Sequence, residues 1–160
     1  MKVKHYVLDT SVVVEYIDEE SPFKDEIESL FNALRTGHIK AFITSTTIGE
    51  ALYIATRIYG EAGSANPNRD AEDFIQWVEK QPGVEIVNVT REISILAGEI
   101  RKRARISLID CIVIATGKIL KAEPLFLKLE KEMEPYVNIL LKYNVKFLVN
   151  TTGVFKAFIK

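Results

Sequence analysis

Residues 5–17 read HYVLDTSVVVEYI, and this stretch decides the fold. Its first four residues are short, apolar and β-prone, and they stop at Asp9-Thr10-Ser11, the pattern of a strand running into a helix start. Val12–Ile17 then fits a short helix, ended by the acidic turn at Asp18–Ser21. Asp9 therefore stands where an apolar strand ends. An ionised carboxylate at such a position costs several kcal/mol unless something neutralises it, roughly 20 kcal/mol by idealised Born reasoning before relaxation.

The same juxtaposition occurs twice more. Residues 43–55 read ITSTTIGEALYIA around Glu50, and residues 106–117 read ISLIDCIVIATG around Asp110. Three acids in otherwise buried stretches suggest one shared solution, a divalent cation held by converging oxygens. Each also has a plainer reading. Asp9 would cap the helix after it, and Thr47-x-x-Glu50 and Ser107-x-x-Asp110 fit or nearly fit the capping box. Asp110 strains that reading most. Leu108, Ile109, Cys111 and Ile112 surround it, with Val113, Ile114 and Gly117 one turn on.

Outward from these stretches the chain alternates strands and helices. Ser21-Pro22 reads as an N-cap with proline at the first helical position, opening a helix with Phe23, Ile27, Leu30, Phe31 and Leu34 on one face, closed by Gly37. Ile39–Ile43 is a second strand, and a helix from Thr47 to about Tyr59 follows. Gly60–Asn68 reads as a loop, and Asp70 opens a helix through Lys80. Val84–Val89 is a third strand, followed by helices over Arg91–Arg103 and Ser107–Leu120. Pro124–Leu127 and Val145–Val149 are fourth and fifth strands, and between them Lys128–Tyr143 is mostly helical, interrupted at Pro135. This order predicts an α/β domain with a largely parallel sheet, in which ligands bind beyond the carboxyl ends of the strands. No repeat or linker divides the chain, so one domain is expected over residues 1–160.

With 21 Lys and Arg against 22 Asp and Glu, the net charge is −1, and a nucleic-acid enzyme would need a local basic patch. Arg101, Lys102, Arg103 and Arg105 form the densest cluster, immediately before the Asp110 helix, and Arg57 lies two turns after Glu50. The plainer reading of the cluster is a solvated helix end. A single cysteine, Cys111, excludes an intrachain disulfide and fits a reducing cytoplasm. No apolar run approaches the ~18 residues a membrane span needs, so no membrane partner is expected. Tyr53, Tyr59, Phe74 and Trp77 fit helix faces that serve either as core or as a partner groove.

The remaining catalytic vocabulary is thin. Two histidines, His5 and His38, argue against paired-histidine RNA cleavage and against zinc. No phosphate-cradling glycine motif occurs. Hard oxygen ligands without histidine favour Mg²⁺ or Mn²⁺, ions suited to phosphodiester hydrolysis. The hydroxyls of Thr10 and Ser11 stand ready to orient Asp9.

Together, Leu8-Asp9-Thr10-Ser11, Glu50 within residues 44–51 and Asp110 within residues 107–115 resemble the PIN-domain family, and in size and layout its VapC toxin branch. The resemblance implies a three-layer α/β/α domain around a central, largely parallel five-stranded sheet. It implies Mg²⁺- or Mn²⁺-dependent cleavage of single-stranded RNA, homodimers and, for a toxin, inhibition by an antitoxin. Asp9, Glu50 and Asp110 would be its metal-site and catalytic acids, with Thr10 or Ser11 as the adjacent hydroxyl. The chain departs at the fourth acid. The family's Thr-x-Asp-like segment corresponds here to LFLKLEKE over residues 125–132, where Leu129 falls at the acid position and Glu130 reaches it only after a one-residue shift. Two rivals remain: a non-catalytic module for RNA binding or dimerisation, and an α/β phosphatase, against which the missing Asp-x-Asp after the first strand counts.

Overall fold

The computed structural model describes residues 2–149; the expected single domain over residues 1–160 extends beyond them at both ends. Among the described residues the strands are β1 (Lys4–Leu8), β2 (Ile39–Thr44), β3 (Val84–Val87), β4 (Glu123–Phe126) and β5 (Lys146–Phe147). They pair in parallel throughout, in the order β3-β2-β1-β4-β5. The helices are α1 (Thr10–Glu15), α2 (Lys24–Arg35), α3 (Ser45–Glu61), α4 (Pro67–Glu79), α5 (Arg91–Arg103), α6 (Leu108–Leu120) and α7 (Val137–Lys142), with a 3₁₀ turn over Lys131–Tyr136.

Side-chain alternation along the central strands builds the three layers. Tyr6 and Leu8 of β1, and Leu125 of β4, face a core made with α1–α4, including Val13, Leu30, Phe31, Ala51, Ala55 and Phe74. Val7 and Phe126 face the opposite core, with Ile93, Ala97, Val113, Ile114, Met133 and Leu140 from α5, α6, the 3₁₀ turn and α7. The expected α/β/α sandwich around a parallel five-stranded sheet is what the chain forms. No helix among the described residues is long and apolar enough to cross a membrane.

Strand order reverses beside β1: β2 and β3 lie on one side, β4 and β5 on the other. That switch point is where a parallel sheet leaves a crevice at its carboxyl edge. Asp9 follows β1 there, and α3 starts from the same edge after β2. The basic helix end and α6 are brought back to it because α6 returns against β1 and β4.

Three helix starts differ from expectation. Ser21 does not cap α2; its Oγ accepts the Phe23 N–H at 3.0 Å in a local turn, and the helix begins at Lys24. A hydroxyl two residues from an amide closes such a turn as readily as a cap. The α3 cap is Thr44 rather than Thr47, its Oγ1 accepting the Thr47 N–H at 3.2 Å, which leaves Glu50 in the second turn and outside any capping box. Helix α4 begins at Pro67, capped by Asn66, so Asp70 is a first-turn acid and the loop is shorter than Gly60–Asn68. Strands β3 and β5 are shorter than expected, although Leu148 and Val149 still donate to Phe126 and Leu127 at 2.9 and 2.8 Å.

The return from α6 into β4 is tight. Lys121 takes a left-handed conformation (φ 56°), and a Cβ on Gly117 would lie 2.7 Å from both the Ala122 carbonyl oxygen and Pro124 Cγ. Gly117→Ala is expected to destabilise the fold by about 1–3 kcal/mol, lowering Tm by about 2–4 °C for each kcal/mol, as thermal unfolding by circular dichroism would register.

Candidate metal centre

Asp9 takes the capping role its sequence offered and keeps one oxygen to spare. Its Oδ2 caps α1, accepting the Ser11 N–H at 3.1 Å and the Ser11 hydroxyl at 2.7 Å. Its Oδ1 is buried with no hydrogen-bond partner, and the residue is only 6% exposed. Capping uses one oxygen of a carboxylate and leaves the other free. Burial pushes the Asp9 pKa up; the Ser11 bonds oppose this, and the Glu50 charge adds to the rise.

Ser11 ties this carboxylate to the sheet. Its Oγ accepts the Leu127 N–H at 3.1 Å while donating to Asp9, and the Asp9 N–H donates to the Leu125 carbonyl at 2.9 Å. The end of β1 and the end of β4 are thereby held in register around the acid. Thr10, by contrast, buries a hydroxyl with no partner.

Asp110 lies in the first turn of α6, whose cap Ser107 accepts the Asp110 N–H at 3.0 Å. Burial first, then the Asp9 charge, with smaller contributions from Glu50 and Glu132 and against the Ser107 hydrogen bond, pushes its carboxyl up to about 7. The structure thus brings Asp9, Glu50 and Asp110 within electrostatic reach of one another. It does not draw them into a cage: among the described residues, no three His, Cys, Asp or Glu side chains are grouped closely enough to hold a metal ion. Like charges without a counter-ion repel, which favours such an open arrangement.

The donor chemistry fits an oxygen-seeking divalent cation. An orphaned, buried carboxylate oxygen lacks only a positive partner, and the surrounding acids supply further hard oxygens. Neither histidine belongs to the group: His5 stacks on Phe42, and His38 Nδ1 lies 2.6 Å from the Thr36 hydroxyl. Cys111 points into the core, its thiol pushed up to about 11 by burial and then by Asp110, which leaves it protonated and a poor ligand.

Glu130 is exposed at the start of the 3₁₀ turn, and the acid of that segment that bears on Asp110 is Glu132. The sequence reading missed Glu132. Its signal was slight, a second glutamate two residues beyond the first in LEKE. In the basic cluster, Lys102 pairs with Glu99 at 2.9 Å, Arg103 lies 3.5 Å from the Tyr143 hydroxyl, and Arg101 is near enough to Cys111 to act on its thiol. All four cluster residues are exposed.

Residues 6–131 match the PIN domain family. The chain belongs to that family. Among solved structures it is similar to FitAcB from Neisseria gonorrhoeae (16% identity, TM-score 0.59, 88% of this chain and 94% of that one). It is also similar to VapBC2 from Rickettsia felis bound to a promoter DNA fragment (15%, 0.58, 82% and 92%), and to the sarcin-ricin-loop-cleaving toxin VapC20 of Mycobacterium tuberculosis (14%, 0.59, 74% and 86%). No curated protein sequence matches the chain.

The raised Asp110 carboxyl has a signed consequence. Folded chain holds a proton that unfolded chain releases between pH 3.8 and about 7, so stability falls as pH rises through that window. In chelator, Asp110→Asn is expected to reduce that slope, leaving the part due to Asp9, to raise Tm at pH 8 by about 2–4 °C or more, and to weaken stabilisation by added Mn²⁺. Paired melts of both chains at pH 5 and 8, with and without Mn²⁺, check it.

Proposed function

We propose that this PIN-domain protein is a metal-dependent endoribonuclease acting on single-stranded RNA, the toxin of a toxin–antitoxin pair. The observation that carries the reading is the buried, unpartnered Oδ1 of Asp9 at the sheet's switch point, coupled to two further acids. Asp9, Glu50 and Asp110 would hold Mg²⁺ or Mn²⁺, with Glu132 a better fourth candidate than Glu130. When bound, such an ion supplies the positive charge that phosphodiester hydrolysis requires. Ser11 keeps Asp9 Oδ2 engaged, so that Oδ1 would be the oxygen left for a cation. Arg101, Lys102, Arg103 and Arg105 would hold phosphates of the strand beside the acids. Cleavage by water would leave a 5′-phosphate and a 3′-hydroxyl.

Asp9→Asn, Glu50→Gln and Asp110→Asn are each expected to lower Mn²⁺-dependent cleavage of a labelled single-stranded RNA by about 100-fold or more. Glu132→Gln should fall between these and a silent Glu130→Gln. The open arrangement of the acids favours one rival, a non-catalytic RNA-binding module. RNA binding that is indifferent to chelator, with no cleavage, would establish it instead.

The antitoxin reading rests on a different face. Tyr16, at 38% exposure, stacks on Trp77 at 4.7 Å between ring centroids, and with Tyr59, Asp70 and Asp73 lines a cavity of about 590 Å³. The neighbouring hollow is rimmed by Asp18, Glu19, Glu20 and Glu61. Aromatic rings ringed by carboxylates suit a basic peptide segment. With a protein co-expressed from an adjoining reading frame, Asp70→Lys combined with Asp73→Lys should raise Kd at least tenfold by calorimetry. An unchanged Kd would move the partner elsewhere.

A further inference from the structure

Large apolar side chains seldom stand in water, and two that do lie within three residues of the pocket acids in sequence. Tyr53 is 61% exposed and Leu108 is 53% exposed. Tyr53 lies three residues after Glu50 on α3, and Leu108 two residues before Asp110 on α6. Residues three apart share a helix face, so Glu50, Tyr53 and the exposed Arg57 form a stripe running away from the acids: carboxylate, aromatic ring, guanidinium. By the helical rise, Tyr53 lies ~4.5 Å and Arg57 ~10 Å beyond Glu50 along the axis. The stacked aromatic cluster of α1, α2 and α4 is built from Tyr16, Phe31, Phe74 and Trp77, and the exposure of Tyr53 leaves its ring open to a ligand.

Resting on the nuclease reading of the acid pocket, we propose that Tyr53 is the stacking platform for an unpaired base of the RNA strand next to the phosphate held by the acids, with Arg57 binding a phosphate further along. The chemistry is complementary on each count. A nucleobase offers a π face to an exposed ring, and such stacking tolerates any base. A guanidinium on the same stripe offsets the repulsion that the acids impose on the strand's phosphates. Tyr53 is thus a positioning residue for the strand, and the carboxylates remain the groups at the phosphate.

The test uses full-length chain and a single-stranded RNA octamer, with Ca²⁺ replacing Mg²⁺ so that the strand stays intact. Kd is measured by filter binding for the parent octamer and for eight versions, each with one abasic ribose. Cleavage with Mn²⁺ and gel filtration are followed in parallel. For wild type, one abasic position should weaken binding about 5- to 100-fold. Tyr53→Ala should weaken binding of the parent by the same factor and lose sensitivity to that position, while Tyr53→Phe behaves as wild type. Arg57→Gln should weaken every octamer equally. Tyr53→Ala that binds and discriminates as wild type overturns the stacking role and leaves the nuclease reading standing. A shift of Tyr53→Ala to a smaller species, with uniform loss of binding, also overturns it, because the ring then belongs to a contact between copies of the chain. Wild type that neither binds nor cleaves defeats the nuclease reading and this inference with it.

Discussion

A carboxylate buried at the end of the central strand, with one oxygen satisfied and the other not, is the constraint on which the rest of this structure turns. Asp9 Oδ2 takes two hydrogen bonds from Ser11, and Oδ1 takes none. An uncompensated buried charge is among the costliest features a fold retains. The sequence retains it beside Glu50, whose charge adds to the rise in the Asp9 pKa, and Asp9 and Glu50 in turn raise that of Asp110. Stability alone would favour an apolar or neutral residue at that point. A divalent cation of the kind proposed above would give the arrangement its rationale.

Parallel topology brings distant residues to that point. Every strand ends on the same edge, so the β1 end, the β2–α3 junction and the returning α6 deliver acids separated by 41 and 60 residues in sequence. Only the order and the switch point need be kept for this to work. Structures sharing 14–16% identity with the chain keep the fold, as expected when packing requires only apolar side chains of suitable size on each face. The Ser11 hydroxyl adds a local lock, joining the acid's free end of β1 to the backbone at the end of β4.

What was legible in the sequence followed from how local each signal is. The strands around Tyr6, Ile43 and Leu125 were clear because buried parallel strands are short apolar runs flanked by breakers. Helix starts were less so. Ser21, Thr44 and Thr47 are all competent hydroxyls, and which amide each one binds depends on the backbone path rather than on residue type. Asp9 and Asp110 stood out by their apolar surroundings, whereas the role of Glu132 depends on a 3₁₀ turn that breaks helical spacing. The spacing of the acids was beyond reach altogether, since a pattern fixes which edge a residue occupies but not the side-chain distances there.

One arrangement described above also makes the chain its own reporter. It has a single tryptophan, Trp77, wedged against Tyr16, Phe31 and Phe74 in one of the two cores. Its emission therefore reads the α1–α4 layer alone. Loosening of α5, α6 and α7 on the far side of the sheet would leave that light unchanged, so a melt followed by tryptophan emission sees half of the sandwich.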